Sequence, residues 1–199
     1  GLLWRNDNVL LPDNSSTALR RLHATEATLR KKNLVSWANE HHKLLRDLGF
    51  VREATAFDLC PKFPHKRINY IIGFVVINQN KTPPKPRWVH DTRCAHQGVS
   101  LNSALLPGPD NLLPLTQSLF HFRERKYAFA ADVEKQFHQI QIIKDDIQCQ
   151  RYFWRDCDSS KPPKIYIHTA MLFGPTDSPS KANAVRIIHA DNSCNEFPS

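Results

Sequence analysis

One acidic residue follows directly after a run of apolar and aromatic residues. Residues 127–131 are Tyr-Ala-Phe-Ala-Ala, a pattern typical of a strand buried on both faces, and Asp132 comes next. A carboxylate at the end of such a strand is costly to desolvate unless a partner compensates its charge. From the residues alone, Asp132 either caps a turn or joins an ion pair, or it binds a metal ion such as Mg²⁺, which prefers hard oxygen ligands.

Two other side chains could take part in the same chemistry. Arg87 opens the segment Arg-Trp-Val-His-Asp-Thr-Arg, residues 87–93, where it is either a solvated hairpin arginine or a phosphate contact. Phe137 stands five residues after Asp132 and, on its own, predicts a core aromatic under a sheet. Each of these signals is weak when it is taken alone.

The N-terminal quarter of the chain predicts two helices after an extended leader, residues 1–16. The cluster Ser15-Ser16-Thr17 favours a helix N-terminus, and Gly49 favours a C-terminus. Asn33 is expected to divide the two helices. The expected apolar faces carry Leu19, Leu22 and Leu29 in the first helix, and Trp37, His41, Leu44, Leu45 and Leu48 in the second.

The next segment predicts a β-hairpin. Residues 68–77 are rich in β-branched and aromatic side chains, with Gly73 as the expected site of a bulge. A basic turn over residues 81–86 leads to a returning strand over residues 87–90. The expected hairpin therefore has a positively charged tip.

The second half of the chain mixes helices and strands without βαβ regularity, so the predicted class is α+β. Residues 101–111 predict a loop, residues 151–154 and 165–172 predict paired strands, and Ser178-Pro179 predicts a helix start. Between the loop and the strands, a helix is expected to carry Leu112, Leu115, Leu119 and Phe122.

Composition narrows the function classes. The 27 Lys and Arg against 19 Asp and Glu give a formal net charge of +8, which favours a polyanionic partner such as nucleic acid. The five Cys are an odd number without a C-x-x-C pair, so a reducing, intracellular compartment is expected. No stretch is apolar and long enough to predict a membrane span. The first residue is Gly1 rather than Met, which predicts that the chain is cut from a longer protein.

Several short motifs occur in a characteristic order. Residues 87–93 resemble the fingers motif Arg-x-Val-x-Asp of reverse transcriptases, and residues 127–140 resemble their first palm motif. The full ordered set is similar to the Pol polyprotein of Bel/Pao-type long-terminal-repeat retrotransposons; it adds residues 98–102, 108–110, 122–123, 152–156 and 173–179, and the opening segments 1–5 and 11–14.

This resemblance implies roles for six residues. Asp132 would bind both catalytic Mg²⁺ ions, with Mn²⁺ as the alternative, and the backbone carbonyl of Val133 would bind one of them. Phe137 would lie under the incoming sugar and exclude a 2′-hydroxyl. The implied nucleotide-binding set consists of Arg87 at the triphosphate, together with Phe137, Val133, Phe173 and Gly174.

The same resemblance implies an architecture and partners. Residues 1–52 would form the leader and N-terminal helices, residues 53–125 a fingers-like region, and residues 126–199 a partial palm. The implied function is RNA-directed DNA polymerisation. The implied partners are an RNA or DNA primer-template, a dNTP and the rest of the Pol polyprotein, in cytoplasmic particles and without a membrane.

The chain departs from the family in ways that affect activity. The family completes its site with a Tyr-x-Asp-Asp hairpin after the helix that begins near Ser178, and no such motif occurs before Ser199. Asp145-Asp146 is the only acidic doublet and predicts a helix start instead. The isolated chain is therefore not expected to polymerise DNA.

Two alternatives to an active polymerase segment stay open. His90, Gln136, Pro175 and Asp177 stand where the family has apolar or small residues, and a polar side chain at a packed position lowers stability. The chain could be a non-catalytic nucleic-acid-binding remnant or captured module, or an unstable relic with an open sheet edge.

Overall fold

The computed structural model describes residues 1–60, 67–80 and 82–193. Over these ranges, five α-helices and two short 3₁₀ helices combine with two small antiparallel sheets. This confirms the mixed helix and sheet class. The division into three segments stays a prediction.

The two N-terminal helices form where the sequence predicts them. They are α1 (Ser15–Lys31) and α2 (Val35–Asp47), and between them Asn33 has a φ of 55°. The second helix, however, buries only part of the predicted stripe, namely Leu45. Leu44 and Leu48 are 49% and 44% exposed, because α2 turns its other face towards the sheet. That buried face consists of Ala38, His42 and Leu45.

A three-stranded antiparallel sheet in the order β1-β5-β4 lies against these helices. Its strands are β1 (Val51–Glu53), β4 (Arg151–Trp154) and β5 (Lys164–His168). The predicted pairing of the last two strands is confirmed. Helix α1 is fixed to the segment after β4 by Glu26, whose carboxylate accepts two hydrogen bonds from Arg155 at 2.8 and 2.7 Å.

The predicted hairpin forms from β2 (Ile72–Asn78) and β3 (Lys85–Asp91). The predicted bulge is wrong, because the register runs without interruption from Ile72 opposite Asp91 to Asn78 opposite Lys85. Gly73 has another role. A Cβ atom there would lie 2.4 Å from the indole of Trp88, so glycine makes room for this ring. Lys81 of the predicted basic tip lies outside the described residues.

The region between the hairpin and the sheet differs most from prediction. The predicted loop contains a short helix, α3 (Leu101–Ala104), and the predicted helix after it is α4 (Leu115–Arg123), which buries no residue. The predicted buried strand over residues 127–131 is wrong: these residues form no strand, and Phe129 is 92% exposed. A strand requires hydrogen-bonded neighbours, and no described residue pairs with this segment.

The leader is extended only in part, because residues 5–8 form a bend and a turn and helix α1 already begins at Ser15, but it belongs to the core. Leu2 is 6% exposed and packs in one cluster with residues of the centre and the end of the chain. The last helix, α5 (Ser178–Ser193), begins where Ser178-Pro179 predicts a helix and contributes to the same cluster. The buried members include Leu2, Ile71, Leu101, Leu105, Ile147, Ile167, Met171, Leu172 and Ala182.

One buried carboxylate fixes the leader in place. Asp146 is 3% exposed and accepts hydrogen bonds from the backbone N–H of Leu2 at 2.7 Å and from Nε1 of Trp4 at 2.9 Å. It also precedes the 3₁₀ helix Ile147–Gln150, which confirms the predicted helix start at the acidic doublet.

We expect Asp146→Asn to destabilise the protein by about 2 kcal/mol, because an amide offers one acceptor oxygen to two buried donors. Urea unfolding at pH 7 measures this loss. Asp145→Asn is the matched control, since Asp145 is the exposed neighbour in the same doublet and its change should stay within about 0.5 kcal/mol. Equal losses for the two variants would show that Asp146 does not hold the leader.

No helix in the described ranges is long and apolar enough to cross a membrane.

Candidate functional site

The site is built where the end of β3, the short helix α3 and the segment after β5 meet. Asn102 joins them: its Nδ2 donates to the carbonyl of Gly174 at 3.1 Å, and its Oδ1 accepts from the backbone N–H of Thr176 at 3.0 Å. Its own backbone N–H donates to the carbonyl of Thr92 at 3.0 Å. A single side chain therefore ties together segments that lie more than seventy residues apart.

The N-terminus of α3 is stabilised by two serine side chains. Ser100 and Ser103 form a reciprocal capping box: the Ser100 hydroxyl accepts from the backbone N–H of Ser103 at 3.1 Å, and the Ser103 hydroxyl accepts from that of Ser100 at 2.9 Å. Leu101 and Ala104 are buried beneath this turn. The helix is consequently held firmly enough to orient Asn102.

Gly174 lies in direct contact with the end of β3. Its φ of 123° is in the region that favours glycine, and a Cβ atom there would lie 2.8 Å from the carbonyl oxygen of His90. Backbone meets backbone at this point, so no side-chain movement could relieve the contact. The residue type at position 174 is therefore set by geometry.

An aromatic pair lies beside this contact. The rings of Phe137 and Phe173 are 4.0 Å apart between centroids, tilted by 36°. Phe137 belongs to the 3₁₀ helix Gln136–Gln139 and packs partly against the core, whereas Phe173 is 53% exposed. The pair thus presents one exposed aromatic face supported by a ring behind it.

The hairpin carries Arg87 on its outer surface. Arg87 is exposed on β3 opposite Val76, and Phe74 lies two residues earlier on the same side of β2. A separate groove between the hairpin and α1 is lined by Phe74, Val75 and Arg21 among others. Arg21 also approaches Asp91 of β3 at 3.8 Å, which orients it at the groove.

Asp132 and Val133 lie in the exposed segment that leads to the 3₁₀ helix. The carbonyl of Val133 accepts a hydrogen bond from the backbone N–H of Gln136 at 3.3 Å. Among the described residues, Asp132 has no hydrogen-bond or ion-pair partner, and no group of three or more His, Cys, Asp or Glu is arranged to hold a metal ion. The carboxylate and the carbonyl are hard oxygen donors of the kind that Mg²⁺ takes.

The structure brings together Phe137, Phe173 and Gly174, close to the end of the strand that carries Arg87. It does not pack Asp132 against them. The residue that sequence reasoning missed is Asn102. Asn102 ends the motif at residues 98–102, but only the fold shows that both the nitrogen and the oxygen of its amide bond to residues far along the chain.

No protein-family model matches the chain, and no curated protein matches it.

Proposed function

We propose that the chain forms the fingers and part of the palm of an RNA-directed DNA polymerase of the Bel/Pao retrotransposon type, and that it does not polymerise DNA by itself. One observation carries the proposal. Sequence motifs that resemble this family at residues 87–93, 98–102 and 173–179 meet through Asn102 and Gly174, and Phe137 of the first palm motif joins them through Phe173.

The geometry is consistent with a different binding role for each of these residues. Arg87 is exposed and cationic, so it suits a triphosphate, and guanidinium binds phosphate oxygens through charge-assisted hydrogen bonds. The exposed face of Phe173, supported by Phe137, suits the flat surface of a base or sugar. Gly174 keeps the backbone close to β3, which holds the two parts in a fixed relation.

The metal site of this family is only partly represented in the chain. Asp132 and the carbonyl of Val133 supply two oxygen ligands, whereas Mg²⁺ takes six in octahedral geometry. Two Mg²⁺ ions, or Mn²⁺, would neutralise the phosphate charge when they are bound. The residues that the structure describes do not complete such a pair of sites. A location in cytoplasmic particles remains part of this proposal.

A second candidate function is binding of single-stranded nucleic acid without catalysis. The observation that favours it is the groove between α1 and the hairpin, where Arg21 and Phe74 combine positive charge with an aromatic ring. The net charge of +8 also favours binding of a polyanion such as nucleic acid. This activity needs neither a metal ion nor further chain.

The test is fluorescence anisotropy with a labelled RNA–DNA primer-template and a single-stranded RNA of equal length, with and without dNTP and Mg²⁺. We expect Arg87→Ala to weaken the dNTP-dependent complex about tenfold, through loss of a charge-assisted phosphate contact. Lys161→Ala is the control, because it removes an exposed positive charge from the turn between β4 and β5.

The outcomes separate the candidates. Tighter binding of primer-template with the complementary dNTP supports the polymerase proposal, whereas equal, dNTP-independent binding of both nucleic acids supports the binding module. Both candidates are contradicted if the chain binds neither nucleic acid. They are also contradicted if neither added salt nor Arg87→Ala weakens the binding. Primer extension by the isolated chain that Asp132→Asn abolishes would show that the active site is complete, contrary to the proposal.

A further inference from the structure

A cavity lies where α2, the hairpin and the three-stranded sheet meet. Its walls are formed largely by aromatic and imidazole rings. Trp88 and His90 come from β3, Tyr152 and Trp154 from β4, His168 from β5 and His42 from α2. The cavity is therefore the place where the hairpin is attached to the sheet and to α2.

Four buried polar atoms at this cavity have no hydrogen-bond partner among the described residues. They are Nε2 of His42, Nε2 of His90, Nδ1 of His168 and the hydroxyl of Tyr152. Buried polar groups are normally paired, so four in one place form an unusual cluster. A protonated ring would in addition bury a positive charge, which costs more free energy than burying a neutral polar group.

The rings pack against each other as neutral aromatic groups. His90 and His168 meet edge to face at 4.8 Å between centroids, and Tyr152 stacks on His168 at 4.7 Å. His42 stacks on Trp154 at 5.0 Å. The hairpin and the sheet are thus joined through imidazoles, and a proton on either His90 or His168 would place a charge at the contact.

The charged groups that face the cluster mostly oppose protonation. Burial first, and then the nearby Arg46, lower the pKa of His42 to about 4, while Asp156 acts in the opposite direction. Burial lowers the pKa of His90 to about 3, and His138 of the 3₁₀ helix and His41 of α2 add to this shift. Burial, followed by His90, His138, His42 and His41, holds the pKa of His168 well below its usual range.

We propose that this histidine cluster is an acid-responsive joint: neutral rings hold the hairpin against the sheet, and proton uptake separates them. This inference does not depend on what the hairpin binds. A histidine whose pKa is lower in the folded state takes up its proton mainly on unfolding. Its stabilising effect is complete above about pH 6.5 and is lost as pH falls towards the folded value. Each such histidine changes the unfolding constant by up to tenfold per pH unit.

The test is urea unfolding of the full chain at pH 7.5, 6.5, 5.5 and 4.5, followed by tryptophan fluorescence. Trp88 and Trp154 report on the joint, since their rings are 5.7 Å apart across it. Ordinary carboxylates begin to take up protons in the lower part of this range, but the compared proteins carry the same carboxylates, so the difference between their pH dependences isolates the histidines. The compared proteins are the wild type, a His90→Phe/His168→Phe variant, and His23→Gln, which changes an exposed histidine of α1.

Between pH 6.5 and 4.5, we expect the unfolding constant of the wild type to rise at least a hundredfold more than that of the double variant. His23→Gln should follow the wild type. Equal pH dependence of the wild type and the double variant would overturn the proposal. If the double variant does not fold, NMR titration of the wild-type imidazoles decides: midpoints below pH 5 for His90 and His168 support the joint, and midpoints near 6.5 overturn it.

Discussion

Replacing Asp58 by asparagine is expected to destabilise the protein by about 3 kcal/mol, the largest loss that we expect from removing one charge. Asp58 is 5% exposed and accepts five hydrogen bonds, and every partner is a donor. The asparagine NH₂ would therefore face donors in either orientation of the amide. Urea unfolding at pH 7 measures the loss. The five donors are Nη1 and Nη2 of Arg52 at 2.6 and 2.9 Å, the backbone N–H and hydroxyl of Thr55, both at 2.7 Å, and Nε2 of Gln148 at 2.7 Å.

The pH dependence gives the same experiment a second readout. The Arg52 guanidinium, followed by the Thr55 and Gln148 hydrogen bonds, holds the pKa of Asp58 well below its usual range despite burial. A carboxylate with a lowered pKa stabilises the fold above its unfolded value near 4 and loses this contribution as pH falls below it. Below about pH 4 the stability of Asp58→Asn should therefore change less steeply than that of the wild type.

Asp158→Asn is the matched control for this site. Asp158 also accepts hydrogen bonds in a turn, from the backbone N–H of Ser160 at 3.0 Å and from its hydroxyl at 2.6 Å, but its side chain is 39% exposed. Water can replace these contacts, so its loss should stay below about 1 kcal/mol. A loss at Asp158 as large as that at Asp58 would mean that burial of the network is not what makes Asp58 stabilising.

The elements that the sequence predicts well are those with local signals. The Ser15-Ser16-Thr17 cluster, Asn33 and Ser178-Pro179 act within a few residues, and helices begin or divide where they stand. Residues 127–131 show the opposite case. An apolar run forms a buried strand only if another segment of the chain hydrogen-bonds to it, and the residues of the run itself do not show whether such a segment exists. The hydrogen-bond network of Asp58 could not be predicted from local sequence either, because it joins residues ninety positions apart.

The polar residues that depart from the family pattern differ in whether the fold provides them with hydrogen-bond partners. Asp177 is fully buried, but it accepts a hydrogen bond from the backbone N–H of Leu3 at 2.9 Å and pairs with Lys181 at 2.8 Å. Gln136 donates to the carbonyl of Ala182 at 3.4 Å. Polar residues with partners of this kind need not lower stability. Gln136 therefore gives no support to the idea of a decayed copy, whereas His90 Nε2 and Asp177 Oδ1 are buried without a hydrogen-bond partner among the described residues.

Replacing Gly174 by alanine should lower stability by about 2–4 kcal/mol, because two separate effects act together. A φ of 123° is strained for any residue with a Cβ atom, and that atom would lie 2.8 Å from the backbone carbonyl of His90. Relief requires a shift of β3, which carries Arg87, or of the segment held by Asn102. Thermal unfolding gives the stability, and the anisotropy assay described above gives the effect on nucleotide-dependent binding.

Gly49→Ala separates the two effects at Gly174. Gly49 has a φ of 74°, and nothing lies within 4 Å of the position its Cβ atom would take. Alanine there meets backbone strain alone, so we expect a loss of about 1 kcal/mol and unchanged binding. If both variants lose the same stability and keep the same affinity, the contact between Gly174 and β3 does not position the site. A larger loss at Gly174 with weakened binding would instead connect this contact to the placement of Arg87.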